Sequence, residues 1–208
     1  DALGRWYRRV SEYNKYPGVP FKIGPDMIDK KVMLFAQQEG PSNKYRGTFQ
    51  IGDSKHSMEN WPELASFVSG GWFELFVHRL VDGFIKDKTV LDSEINTLVE
   101  IQENPDSGRS YSLQELDIAF TDGYYLTILE CKAGAVTQEH IQKLENLARN
   151  LGGHFGRGIL ISAFDLDDPV KRRIASSQMV SAICGEAIVR DPSMLLTIKS
   201  GAVVGKFQ

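Results

Sequence analysis

The 208 residues are enough to bury one full core, or one domain plus a small module. At 42% hydrophobic and 25% charged residues the composition is that of a globular protein, and no apolar run is long enough to span a bilayer. A net charge of −3 argues against a tight constitutive nucleic-acid binder, though not against a local basic groove. Cys131 and Cys184 make no disulfide framework and no CxxC pair, so a structural zinc is not expected. His56, His78, His140 and His154 are scattered without ligand spacing. The start, Asp1-Ala2-Leu3-Gly4, has neither an initiator Met nor a signal-peptide pattern, which reads as a piece of a longer, cytoplasmic chain.

Trp6, Tyr7, Val10 and Tyr13 recur at near-helical spacing with Arg5, Arg8 and Arg9 between them, predicting an amphipathic helix over 2–14. Pro17, Pro20 and Pro25 then break regular structure. Val32 to Ala36 reads as a strand, Gln37 to Arg46 as a polar loop, and Gly47 to Gly52 as a strand pairing with the first. Residues 1–60 are therefore expected to form a small module or linker, ahead of a main domain over 61–208.

A helical pattern starts at Trp61, with Pro62 suited to a first turn, and breaks at Ser69-Gly70-Gly71. Trp72 to Phe84 is apolar on most sides, which predicts a buried helix. Glu74 stands alone in it; an unpaired buried carboxylate is expensive, so it needs a partner, His78 one turn on being the plain choice. Thr89 to Gln102 is strand-like, and Asn104 to Ser112, around Pro105-Asp106-Ser107-Gly108, is a loop: a candidate substrate loop or an ordinary connection.

Glu115 to Lys132 carries the chemistry. Two apolar, β-branched arms flank Asp122-Gly123, the signature of a hairpin with a type I′ turn. In that register Thr121 faces Tyr124 and Asp117 faces Ile128. With a side-chain period of two, Asp117, Glu130 and Lys132 share one face, Glu130 diagonal to Asp117, while Leu116, Ile118, Phe120, Leu129 and Cys131 make a core face. Two close carboxylates repel and are costly to desolvate. A hard divalent cation, Mg²⁺ or Mn²⁺, resolves this and can activate water against a phosphodiester. Lys132 is placed to orient that water or to offset charge on the phosphate. The plain alternative is a surface hairpin with a cross-strand ion pair.

After Lys132, Thr137 is a fitting N-cap for a helix whose apolar stripe is Ile141, Leu144, Leu147, Ala148 and Leu151, ended by Gly152-Gly153. Lys143 and Arg149 lie off the stripe. Gly158 to Ala163 reads as a buried parallel strand, Val170 to Val180 as a helix with Lys171, Arg172 and Arg173, and Ala187-Ile188-Val189 as a last strand. The type of Met194 to Ile198 stays open.

Asp117 followed by Glu130-Cys131-Lys132 resembles the PD-(D/E)XK nuclease superfamily. With Gly70-Gly71-Trp72-Phe73-Glu74 and Leu151-Gly152-Gly153, it resembles more narrowly the nuclease domain of CRISPR ancillary nucleases, which join it to an N-terminal CARF sensor that binds cyclic oligoadenylate. The resemblance runs from about Trp61 to Gln208; Leu116 stands where the superfamily usually has Pro, and the N-terminal part does not look like a CARF domain. The resemblance implies an α/β fold, a restriction-endonuclease-like mixed sheet flanked by helices. It implies Mg²⁺- or Mn²⁺-dependent cleavage of DNA, with RNA as a further substrate, in antiviral defence. Asp117, Glu130 and the Cys131 carbonyl would hold metal, Lys132 would position water and Glu74 would assist. The helix after Lys132 would flank the groove, Lys143 serving as phosphate contact or auxiliary cation; for Arg149 a solvated charge is the alternative. A homodimer and control by a sensor outside this chain are also implied. The rival reading is a catalytically silent nucleic-acid-binding or scaffolding domain of the same fold.

Overall fold

The computed structural model describes residues 22–29, 32–39, 44–51, 54–58, 66–102 and 111–205. The chain divides into two compact units, Asp1–Trp72 and Phe73–Gln208. The expected helix over 2–14, the helix start at Trp61 and most of the loop after Asn104 lie outside the described residues.

The first unit contains a four-stranded antiparallel meander: β1 (Lys22–Asp29), β2 (Val32–Glu39), β3 (Lys44–Ile51) and β4 (Ser54–Met58), in that order. Pro25 lies inside β1 rather than breaking it. The β1–β2 register slips between Ile23 and Asp26, so the proline occupies an irregularity where no ladder donor is required. Gln37 to Arg46 is likewise not one loop. The ladder runs on through Glu39↔Lys44, because backbone pairing with β3 outweighs the polar composition.

The second unit is a six-stranded mixed sheet in the order β10-β9-β8-β7-β6-β5. Strands β5 (Asp92–Gln102), β6 (Tyr111–Thr121) and β7 (Leu126–Lys132) are antiparallel. From β7 onward, β8 (Gly156–Ser162), β9 (Val180–Cys184) and β10 (Val203–Val204) are parallel. Helix α1 (Trp72–Lys86) precedes the sheet; α2 (Gln138–Gly152) makes the β7-to-β8 crossover and α3 (Asp168–Ala175) the β8-to-β9 crossover. Two one-turn helices, α4 (Ala187–Arg190) and α5 (Met194–Thr197), lead to β10.

Two expectations near the C-terminus are corrected. The helix expected over Val170–Val180 ends at Ala175, and Val180–Cys184 is a fully buried strand. Ala187–Val189 is helical, and the sheet ends instead on Val203–Val204. A five-residue apolar run reads alike as buried strand or buried helix, and only the sheet's vacant edge separates them.

Helix α2 lies against β7 and β8. Its Ile141, Leu144 and Leu147 are buried with Ile128 and Leu160 of those strands. Each such side chain contributes roughly 1.5–3 kcal/mol by leaving water. The approach is close: a Cβ on Gly156 would stand 1.8 Å from the Ala148 carbonyl oxygen, and one on Gly158 would stand 2.7 Å from Leu144 Cγ. These glycines let the helix sit down on β8 and on β7, whose end carries Glu130 and Lys132.

Candidate active site

The β6–β7 connection is not a two-residue turn. Thr121 pairs with Leu126, leaving Asp122–Tyr125 as a four-residue loop. Asp122 organises it, its Oδ1 accepting the Tyr124 and Tyr125 amides at 2.9 and 2.8 Å. Relative to the type I′ register the strands have slipped by two residues. Side-chain period is two, so the faces survive, but Glu130 moves from diagonal to directly opposite Asp117 along the ladder.

The ladder itself stops at Ile118↔Leu129. Beyond that pair β6 runs on with β5 and β7 with β8, so the two strands fork at Asp117 and Glu130. The Cys131 amide would lose its partner at the fork, and Asp117 Oδ2 accepts it at 2.7 Å. A residue's carbonyl points to the same side of a strand as its amide, so the Cys131 oxygen also faces the fork. The Cys131 thiol is buried and held well above its usual pKa by that burial, first, and by the surrounding carboxylates; it is core, not a ligand.

Glu130 is 2% exposed. Lys132 Nζ lies 2.6 Å from its Oε1 and Lys143 Nζ 4.0 Å from its Oε2, while Lys132 Nζ is 3.9 Å from Asp117 Oδ2. Burial and then the Glu130 charge push the Asp117 carboxyl up to about 6, against the pull of Lys132 and the Cys131 amide. Burial pushes Glu74 up to about 7, with the Asp117 charge next; Lys132, Glu115 and Glu130 also act on it, so it is within electrostatic reach of the pair. Its alternative partner is engaged elsewhere: His78 Nδ1 is 3.7 Å from Asp82 and its Nε2 is 3.4 Å from Ser93 Oγ. For Lys132, burial draws the pKa down, but the hydrogen bond and charge of Glu130 outweigh it and the net shift is upward.

Asp117 and Glu130 thus meet two ammonium groups in a part-buried fork, with Glu74 within electrostatic reach, and the carboxylate oxygens are of the hard kind that a divalent cation such as Mg²⁺ takes. Among the described residues no group of three or more His, Cys, Asp or Glu side chains converges to hold a metal alone. A coordination shell here would need main-chain and water oxygens besides Asp117 and Glu130, as Mg²⁺ commonly has.

The family model for the Card1-like endonuclease domain matches residues 62–192 of the chain. The chain belongs to that family. Among solved structures, protein VC1899 from Vibrio cholerae matches over 97% of this chain and 52% of its own, at 20% identity and a TM-score of 0.64. That likeness establishes the mixed α/β, restriction-endonuclease-like architecture. Can2 from Sulfobacillus thermosulfidooxidans, in complex with cyclic tetra-adenylate, matches over 66% of this chain and 35% of its own, at 22% identity and a TM-score of 0.47. The chain spans about half the length of VC1899 and about a third of that of Can2. No curated protein sequence matches it.

Within this Card1-like endonuclease domain, Asp117, Glu130, Lys132 and Lys143 come together, and Glu74 lies within electrostatic reach. Arg149 does not join them: its guanidinium is 3.6 Å from Glu145 Oε1 and 61% exposed. Glu145 is also bound by Arg173 and by Ser177 Oγ, tying α2 to α3 and to the loop before β9. His140, dismissed above for want of ligand spacing, sits one turn before Lys143 at the start of α2. The pattern Thr137-x-x-His140 was the available signal: the third helical residue can reach back to the N-cap.

Proposed function

We propose that the chain hydrolyses phosphodiester bonds in DNA as a metal-dependent endonuclease, with RNA as a further substrate class. The observation that carries the reading is the fork at Asp117 and Glu130, where a buried and a half-buried carboxylate face Lys132. A bound Mg²⁺ or Mn²⁺ supplies positive charge to the phosphate oxygens and acidifies coordinated water. Asp117, Glu130 and the Cys131 carbonyl would hold it. Lys132, whose ammonium already donates to Glu130, orients the attacking water and offsets charge on the phosphorane. Glu74 adds a third carboxylate at the rim. Lys143 contacts a backbone phosphate, and Arg149, further along α2, makes a second contact outside the fork.

Residues 61–208 are the nuclease domain in this reading and 1–60 a connecting module. The effector acts as a cytoplasmic homodimer in antiviral defence, controlled through an N-terminal sensor that binds cyclic oligoadenylate. Family resemblance supports that regulatory part.

Cleavage of supercoiled and single-stranded DNA, and of RNA, is the test. Mg²⁺ or Mn²⁺ should be required and EDTA should stop the reaction; Ca²⁺, with looser geometry, should support binding without cleavage. Full cleavage in metal-free buffer overturns the mechanism, and binding without cleavage in every metal favours a silent scaffolding domain.

A further inference from the structure

The Thr137 amide donates to His140 Nδ1 at 2.9 Å, and Thr137 Oγ1 lies 3.1 Å from the same nitrogen. A main-chain amide can only donate, so Nδ1 carries a lone pair and the ring proton sits on Nε2. The histidine is thereby held as one neutral tautomer with a single outward N–H. His140 and Lys143 are three apart on α2 and therefore neighbours on its surface. Lys143 reaches to within 4.0 Å of Glu130. The charges of Lys132, Glu130 and Lys143 all act on the imidazole, which is only partly exposed. So the ring stands beside Lys143 on α2, within electrostatic reach of the fork. A fixed N–H donor beside a lysine ammonium suits an anionic oxygen.

We propose that His140 Nε2–H, together with Lys143, binds a non-bridging oxygen of a backbone phosphodiester next to the bond that is cut. This rests on the nuclease reading above and adds a substrate-binding residue to it. The geometry gives His140 two separable jobs: Nδ1 caps α2, and Nε2 meets substrate.

Two substitutions divide them. In His140→Asn the side-chain oxygen overlays Nδ1, so the cap survives and the outward donor is lost. In His140→Gln the amide nitrogen overlays Nε2, so the donor survives and the cap is weakened. DNA affinity is measured for the full chain by anisotropy in Ca²⁺ across a salt series, with single-turnover cleavage in Mn²⁺ and melting temperature alongside.

His140→Asn should bind DNA about fivefold more weakly at unchanged melting temperature, the loss expected for one hydrogen bond. Its salt dependence should match wild type, since no charge is removed, whereas Lys143→Ala should lower the slope by about one. His140→Gln should keep DNA affinity and melt lower. His140→Asn binding and cutting like wild type overturns this inference alone, as does equal weakening in both variants. Saturable inorganic phosphate binding lost in His140→Asn, with DNA affinity intact, would mark a free-phosphate site and overturn it as well. Wild type that neither binds nor cuts nucleic acid overturns the nuclease reading and this inference with it.

Discussion

Glu130 and Lys132 are 2.6 Å apart, yet the proposed mechanism gives them different work. Removing Glu130 takes an oxygen ligand from the fork; removing Lys132 takes a cation from it and leaves the oxygens in place. Glu130→Ala and Lys132→Ala should each lower cleavage by on the order of a hundredfold or more. Calorimetric Mn²⁺ titration should separate them: Glu130→Ala weakens metal binding and Lys132→Ala does not. Equal loss in both would show the roles to be wrongly divided. Asp117 offers a test without substrate. Its folded pKa of about 6 stands above its ordinary 3.8, and that of Glu74, about 7, above 4.5. The protonated forms are favoured by folding, so this stability is full below the ordinary values and is lost as pH rises through about 6 and 7. Asp117→Asn, which can still accept the Cys131 amide, should therefore stabilise the metal-free chain by about 3 kcal/mol at pH ~8, by about half that at pH ~5 and by little at pH ~3. Thermal melts of both proteins across pH check this; no gain at the higher pH would mean that the carboxylates do not strain the fold.

At the scale of elements, the site depends on α2 lying flat on β7 and β8, because α2 carries Lys143 to Glu130. A methyl group on Gly156 would fall 1.8 Å from a main-chain oxygen of that helix, which cannot rotate aside. Gly156→Ala should therefore displace α2, costing roughly 1–3 kcal/mol as overpacking does, and should lower cleavage although residue 156 lies at the far end of β8 from the fork. Melting temperature and single-turnover rate read the two effects. An unchanged rate in a destabilised variant would show that the position of α2 does not matter to the chemistry. The loop Asp122–Tyr125 belongs to the same scale. Asp-Gly announced a reversal in the sequence, but the Asp122 side chain capping two amides made it a four-residue loop instead of a two-residue turn.

At the scale of the whole molecule, the proposed function bears on regulation. The proposed nuclease activity would call for control in a cell. If the sensor for cyclic oligoadenylate is N-terminal to this segment in the parent protein, the 208-residue chain should cut at the same rate with and without that nucleotide. The longer parent should be stimulated. Cleavage of single-stranded and supercoiled DNA with each cyclic oligoadenylate measures it, and stimulation of the isolated chain would place the sensor within these residues. No helix among the described residues is long and apolar enough to cross a membrane.

Much of the candidate site was legible in the primary structure because its signals are local. Alternation places Asp117, Glu130 and Lys132 on one face in any register that differs by an even step, so the two-residue slip left that inference intact. The apolar stripe of α2, its Thr137 cap and its Gly153 stop are equally local. What the tertiary structure alone decided is non-local. The fork depends on β7 leaving β6 for β8, which no window of sequence contains. Arg149 and Lys143 look alike on a helical wheel, and what tells them apart is that Arg149 meets Glu145, which also holds Arg173, whereas Lys143 reaches Glu130 on another element. Val180–Cys184 became a strand rather than the end of a helix because a parallel edge beside β8 stood ready to satisfy its backbone. Periodicity records which face a residue takes; which neighbour meets that face is settled by packing.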